Sequence, residues 1–348
     1  SDPFRVPHWR EFRGPVDVLE FLLMCTAAFP EPLTFSLRAW RELRGRDERP
    51  DVVHDNQTLG YGMLLLQRDG FPVLPTLHHP ITVDRVHDLA AATEWRKRLS
   101  LHRWYSFLRM QGRVVRRMPA VLTVSTSSAR DIVRDFRVRP ERLTVVPVGV
   151  ETDVFVPPTE PRVPGRIVAT TSADVPMKGL VPLLEAVAKL RTERDVELVC
   201  VGRPKEGGVA LQTVERLGLG DSVRFVSGLA ESELVQLFGS AQVAVVPSLY
   251  EGFSLPAVEA MACETPLVAS AAGALPEVVG VDGETALHVP PGDPEALAAA
   301  VGRLLDDPEL AARIGAAGRA RVVERYTWRA VAEATVRWYR TALGGTSC

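Results

Sequence analysis

Cysteine is scarce in this chain, and what there is of it is scattered. Cys25, Cys200, Cys263 and Cys348 lie far apart with no CxxC pair, which argues against a zinc site and a disulfide framework and fits a reducing cytoplasm. An excess of charge of one sign is also missing. Forty-one basic residues stand against 43 acidic ones, for a formal net charge of -2, so the basicity that marks nucleic-acid binders is absent and no nucleic-acid partner is expected. Long apolar runs are lacking as well. The stretch FLLMCTAAF from Phe21 to Phe29 is about half of the roughly 20 residues that cross a bilayer. Neither a transmembrane helix nor a signal peptide is expected.

What is present is the composition of an ordinary globular protein, 46% hydrophobic and 24% charged, in a chain of 348 residues. That length exceeds the usual single core, so two domains are expected. In the second half the runs GRIVATT, VELVCVG, VRFVSG, AQVAVVPS, TPLVAS and ALHVPP suit strands buried on both faces. Helical patterns such as KGLVPLLEAVAKL, ESELVQLFGS, LPAVEAMA and DPEALAAAVGRLL lie between them. This alternation predicts βαβ units and a doubly wound parallel sheet, an α/β fold. The first half is similar but poorer, with strand candidates at residues 51–54, 71–77, 120–125 and 143–148.

A proline-rich piece, FVPPTEPRVPG, reads as an extended connector. The expected division is therefore residues 1–150, a link at 151–164, a second domain at 165–325, and a closing helix at 326–348 that returns to the first domain. Residues 1–50 hold mostly helical and irregular signals, whereas such a domain usually opens with a strand, a glycine-bearing turn and a helix. The first unit of the N-terminal domain is therefore expected to be missing.

The strongest chemical signal is YEGFSLPAVEAMACETP, directly after the strand AQVAVVPS. Glu251 and Glu259 are separated by seven residues, and Ser254 and Pro256 mark a helix start between them. The amides of Ser254 and Leu255 then point out of a helix terminus with partial positive charge, where a diphosphate docks. One turn on, Glu259 stands at the distance of a ribose, and carboxylates accept strong hydrogen bonds from sugar hydroxyls. Two isolated glutamates at a helix start are ordinarily solvated residues favoured by the dipole. Gly252, Phe253 and the strand before them are what shift the reading.

This segment resembles the E-x7-E signature of family 4 retaining glycosyltransferases, and the resemblance extends over nearly the whole chain. PDVVH, VLPTLHHP, AVLTVSTSSARDIV and RLTVVPVGVETDVF resemble the family's N-terminal domain; MKGLVPLLEAVAKL, VSGLAESELVQLFGSAQVAVVPS, GALPEVV and the helix after YTW resemble its C-terminal domain. The resemblance implies two Rossmann-like domains facing across a cleft, the GT-B architecture. It also implies transfer of a sugar from a nucleotide-diphosphate sugar to an acceptor hydroxyl, with an α-glycosidic product and no essential metal or cofactor. No D-x-D pair follows a strand as a metal-dependent transferase would place it.

Carried over residue by residue, the resemblance makes Lys178 the cation on the donor diphosphate and Glu259 the ribose carboxylate. Glu251 contacts the transferred sugar, and Gly252 and Phe253 let the backbone pass close to it. His78, in TLHHP, reaches that sugar from the N-terminal domain, although the adjacent His79 makes the match ambiguous and a structural histidine is the alternative. One departure is Ser172, six residues before Lys178, where relatives commonly carry an arginine; Arg203 or Lys205 in the turn VGRPKEGG is the candidate substitute. Another is Glu264, where glycine is frequent. UDP- and GDP-sugars fit the motifs equally, and the acceptor is open among sugars, lipid-linked sugars and small molecules. A nucleotide-sugar-binding pseudoenzyme, or an epimerase or hydrolase of the same fold, stays open as the alternative.

The segment from Glu94 to Met118 carries Arg96, Lys97, Arg98, Arg103, Arg109, Arg113, Arg116 and Arg117, with Trp95, Trp104, Tyr105 and Phe107 interleaved. As a basic amphipathic helix it would meet an anionic membrane surface, giving a peripheral location at the inner face. The competing reading is a helix with its aromatics packed inside and its arginines solvated.

Overall fold

The computed structural model describes residues 8–171 and 174–344. It holds two parallel sheets. The first is built from β1 (Val53–Asn56), β2 (Val73–Thr76), β3 (Val121–Thr123) and β4 (Leu143–Val145), in the order β1-β2-β3-β4. The second contains β5 (Val163–Thr170), β6 (Glu197–Val201), β7 (Val223–Val226), β8 (Ala241–Val246), β9 (Leu267–Ser270) and β10 (Leu287–Val289), in the order β10-β9-β8-β5-β6-β7. Every strand predicted from apolar runs is present. These runs are continuous rather than alternating because helices cover both faces, so side chains pointing either way leave water. In β9 all four residues are buried.

The chain forms two compact units. One gathers the described residues up to Thr123, Ala129–Val145 and the residues from Val336 on; the other gathers Val124–Ser128 and Val146–Thr335. The residues read as a link group with the second unit: Phe155 is buried in its core, and Val163 and Pro164 open β5. Arg162 anchors the end of that stretch. Its guanidinium donates to the carbonyls of Gly239 (3.0 Å), Ala241 (2.8 Å) and Glu264 (2.9 Å).

That anchor bears on Glu264, which stands at φ +54. The left-handed region is cheap for glycine and costly for a side chain, and the helix Pro308–Arg325 passes so close that a Cβ on Gly315 would lie 2.3 Å from the Glu264 carbonyl. The two helices written D-P-E start alike. Asp293 accepts from the amides of Glu295 and Ala296, and Asp307 from that of Leu310, each with a proline opening the helix.

In the first unit, helix Phe107–Val115 buries Phe107, Leu108, Met110, Val114 and Val115 against β-strand residues such as Val121. Helix Trp95–Trp104 buries nothing, and Trp95 is 69% exposed. The basic segment is therefore two helices, where one was expected. Its aromatics divide between them: Tyr105 and Phe107 are buried, and Trp95 and Trp104 are exposed. Among the described residues no helix is long and apolar enough to cross a membrane. The closing helix, Trp328–Ala342, ends within the first unit, where Tyr339 contacts His54 and Trp338 is buried.

Candidate active site

In the six-stranded sheet the order reverses between β5 and β8, the neighbours at its centre. The loops leaving these two strands run to helices that diverge, which opens a crevice at their C-terminal ends, the usual place for a ligand in such sheets. One loop carries Lys178, the last residue of a 3-10 turn at Pro176–Lys178; the other carries Glu251. The helix proper begins at Leu180, two residues later than the sequence implied for Lys178. Gly179 between them has φ +66, and a Cβ there would lie 1.9 Å from the Pro247 carbonyl. Only glycine lets the two loops approach so closely. They meet in an ion pair: Lys178 Nζ donates to Glu251 Oε1 at 2.8 Å, and Ser248 Oγ donates to the same oxygen at 2.7 Å.

Beside this pair lies a cavity of about 460 Å³. Lys178, Arg203 and Lys205 line it on the basic side, and Pro256 brings in the start of helix Leu255–Ala262. Neither Arg203 nor Lys205 forms an ion pair with a described residue, while the backbone amide of Lys205 donates to Asp174 at 2.6 Å. Thr170 and Thr171 line the same cavity with buried hydroxyls that have no hydrogen-bond partner among the described residues. Ser172 lies outside the described residues.

Ser254, at the start of helix Leu255–Ala262, has φ +107 and ψ 88, and its buried Oγ neither caps the helix nor finds another partner among the described residues. A residue held in a sparsely populated backbone region with its hydroxyl unused is a form of strain that clusters at ligand sites. Leu255 is 43% exposed. Phe253 is buried and packs edge-on against Tyr326 at 5.5 Å, so its side chain serves the core and only its backbone is available to a ligand. The Gly252 carbonyl accepts from Ser125 Oγ (2.7 Å) and Ser128 Oγ (3.1 Å). Glu259 does not line the cavity; burial, with a smaller contribution from Glu231, pushes its carboxyl up to about 7.

In the N-terminal unit, His78 Nε2 donates to Asn56 Oδ1 at 2.7 Å. Burial, followed by the neighbouring His79 and His54, holds the His78 pKa below its ordinary value, so at neutral pH the ring is uncharged and Nδ1 is an acceptor. Gln57, at φ +62, places the loop: its Oε1 accepts from the His78 amide at 2.7 Å, and its Nε2 donates to the His79 carbonyl at 3.2 Å. His79 instead faces Asp84, at 3.6 Å.

Residues 157–321 match the family model for glycosyl transferases group 1, and residues 6–154 match that for glycosyltransferase family 4. The chain is 55% identical over 342 residues, 98% of its own length and 83% of the relative's, to an MMP alpha-(1->4)-mannosyltransferase of Mycolicibacterium hassiacum. The chain is a family 4 glycosyltransferase. The transferase is also 32% identical over 319 residues, 84% of its length and 68% of the relative's, to a D-inositol 3-phosphate glycosyltransferase of Streptomyces scabiei. Among solved structures it resembles sucrose-phosphate synthase from Thermosynechococcus elongatus, with a TM-score of 0.75 and 27% identity over 94% of this chain and 80% of that one. Its fold is of the GT-B class.

Of the residues singled out in the sequence, the structure brings Lys178 and Glu251 into contact and sets Arg203 around one cavity with Lys178. Ser254, Leu255 and Glu259 lie on the adjoining helix and its start, and His78 belongs to the other unit. Sequence reasoning missed Thr170, Thr171, Ser248, Asn56 and Gln57. Small polar residues at strand ends are common, and nothing in the sequence separates those whose hydroxyls go unpaired.

Proposed function

We propose that this enzyme transfers a mannosyl group, with retention of configuration, from a nucleotide-diphosphate mannose to a sugar hydroxyl, forming an α-glycosidic bond without a metal or cofactor. The observation that carries the reading is the Lys178–Glu251 pair at the switch point, beside a cavity lined by Arg203 and Lys205. Those cations supply the charge that a metal would otherwise bring to a diphosphate. The choice of sugar is supported by the mannosyltransferase relative, and GDP-mannose is then the first donor to test.

In this reading Lys178 and Arg203 hold the diphosphate with the amides of Ser254 and Leu255, and the Ser254 hydroxyl completes the set. Glu259 accepts from the ribose hydroxyls. Glu251, held by Ser248, orients the transferred sugar, while Gly252 and Phe253 offer backbone beside it. His78, in the other unit, offers Nδ1 as an acceptor for a sugar hydroxyl.

The C1–O bond to the β-phosphate breaks as the acceptor oxygen bonds to C1 on the same face. The acceptor's proton passes to the departing phosphate oxygen, and the nucleoside diphosphate leaves. Glu251 acts by position and electrostatics. The test is to incubate the enzyme with GDP-mannose, UDP-glucose or UDP-N-acetylglucosamine and a manno-oligosaccharide in the presence of a chelator. A new α-mannosidic anomeric signal is expected from GDP-mannose alone. Transfer abolished by the chelator, or a β-linked product, would sink the mechanism.

A further inference from the structure

The N-terminal unit holds a second basic cavity, of about 290 Å³, lined by Arg85, Arg109, Arg113 and Arg116, of which Arg85 is half-buried and the other three are exposed. None of the four forms an ion pair with a described residue. Arg113 donates to the Tyr61 hydroxyl at 3.0 Å and Arg116 to the Phe136 carbonyl at 2.9 Å. One carboxylate lies in the cavity, Asp135, and it is already engaged: Arg134 donates to it at 2.6 and 2.9 Å, and Thr82 donates as well. Burial raises the Asp135 carboxyl, but these hydrogen bonds outweigh it and hold the group below its ordinary range. The positive charge of the four guanidinium groups is left uncancelled.

Their mutual repulsion is what an anion would relieve. Arg109 and Arg113 are one turn apart on helix Phe107–Val115, where like charges repel. Arg109 also sits in the helix's first turn, at the positive end of the dipole. An anion between the groups reverses both effects. Guanidinium forks match phosphate oxygens in pairs.

The cavity is larger than a phosphate needs, since a water takes about 30 Å³ of liquid volume. Leu108 and Phe136 supply an apolar wall, and a Cβ on Gly112 would press to 3.1 Å from the Phe136 ring. We propose that this cavity is a binding site for a phosphate monoester of a sugar-sized alcohol, with Arg85, Arg109, Arg113 and Arg116 as its phosphate ligands. The proposal stands independently of the donor assignment.

The same chemistry is offered by a soluble sugar phosphate and by a phospholipid headgroup. Calorimetry of the full chain with mannose 6-phosphate, mannose and inorganic phosphate is set beside co-sedimentation with phosphatidylcholine vesicles with and without phosphatidic acid. The expected result is binding of mannose 6-phosphate but not mannose, weakened at least tenfold in the double variant Arg109→Gln, Arg113→Gln and partly restored by lysine at both positions. Nucleoside diphosphate affinity should be unchanged in these variants, which shows that they fold. Binding to phosphatidic acid vesicles alone, lost in the same variant, would assign the site to a lipid headgroup. Binding of neither probe, or equal binding by the double variant, overturns the site. Should the double variant misfold, Arg85→Gln, on a different helix, asks the same question.

Discussion

Each unit brings cations without an ion pair among the described residues to one cavity, Arg203 and Lys205 in the C-terminal unit and four arginines in the N-terminal one, and the two cavities differ in what surrounds them. In the C-terminal unit Lys178 is paired with Glu251, Arg162 is buried among carbonyls, and Arg166 and Arg194 each meet carboxylates. In the N-terminal unit four arginines share one cavity whose one carboxylate, Asp135, is taken up by Arg134. The sheets differ in step. The six-stranded sheet reverses its order between β5 and β8, while the four-stranded one runs β1-β2-β3-β4 without reversal. Where strand order reverses, topology itself opens a crevice and aims two loops at it, so a site needs few side chains. Where it does not reverse, as in the four-stranded sheet, side chains have to assemble any site, and the arginine cavity is of that kind.

The sharpest way to break this contrast is at the pair that the crevice creates. Glu251→Gln is expected to lower kcat by about 10²–10³-fold, the scale of a lost preorganised electrostatic contact, with nucleoside diphosphate affinity nearly unchanged. Steady-state kinetics beside calorimetry checks it; equal losses in both would place Glu251 on the nucleotide rather than on the sugar. Lys178→Ala should weaken nucleoside diphosphate binding by roughly 1–3 kcal/mol, the scale of a charged hydrogen bond. Unchanged affinity would leave the crevice without its principal cation.

A third experiment concerns pH. The Glu259 carboxyl is raised to about 7 from an ordinary 4.5, so between those values the folded state holds a proton that the unfolded state has released. Stability should therefore fall as pH rises from about 4.5 to about 7, by on the order of 3 kcal/mol at most. Glu259→Gln should flatten that slope and raise the melting temperature at pH 8. With ribose hydroxyls met by the ionised carboxylate, as proposed, nucleotide affinity should rise with pH through about 7 in the parent enzyme and be flat in the variant. A pH-independent affinity in the parent would remove Glu259 from the ribose.

The smallest effect is expected at Ser254. Ser254→Gly relieves a backbone held at φ +107, a strain worth roughly 1–3 kcal/mol, offset by the flexibility that glycine adds to the unfolded chain. It also deletes a hydroxyl worth about 0.5–1.5 kcal/mol to a phosphate. A modest rise in melting temperature with a few-fold loss of nucleotide affinity is the expected pairing. If affinity held, the unpartnered Ser254 hydroxyl would have no part in binding.

Much was legible in the order of residues. Apolar runs of four to eight residues name the strands because a sheet covered on both faces buries every side chain it has. Proline and an acidic cap name the helix starts because those residues satisfy, or do not need, the free amides there. The spacing of Glu251 and Glu259 in a strand–turn–helix setting, together with the order of the other motifs along the chain, was enough to point to the family. Sequence could not pair Lys178 with Glu251, since they lie 73 positions apart and only the neighbouring of β5 and β8 brings their loops together. Nor could it split the basic segment into one buried helix and one exposed one, because the same arginine–aromatic pattern fits either until the core is in place. The hydroxyls of Thr170, Thr171 and Ser254, unpaired among the described residues, and the gathering of four arginines around one cavity were settled by tertiary structure alone. A polar group's partner is fixed by what the fold brings within about 3 Å, and no local pattern carries that information.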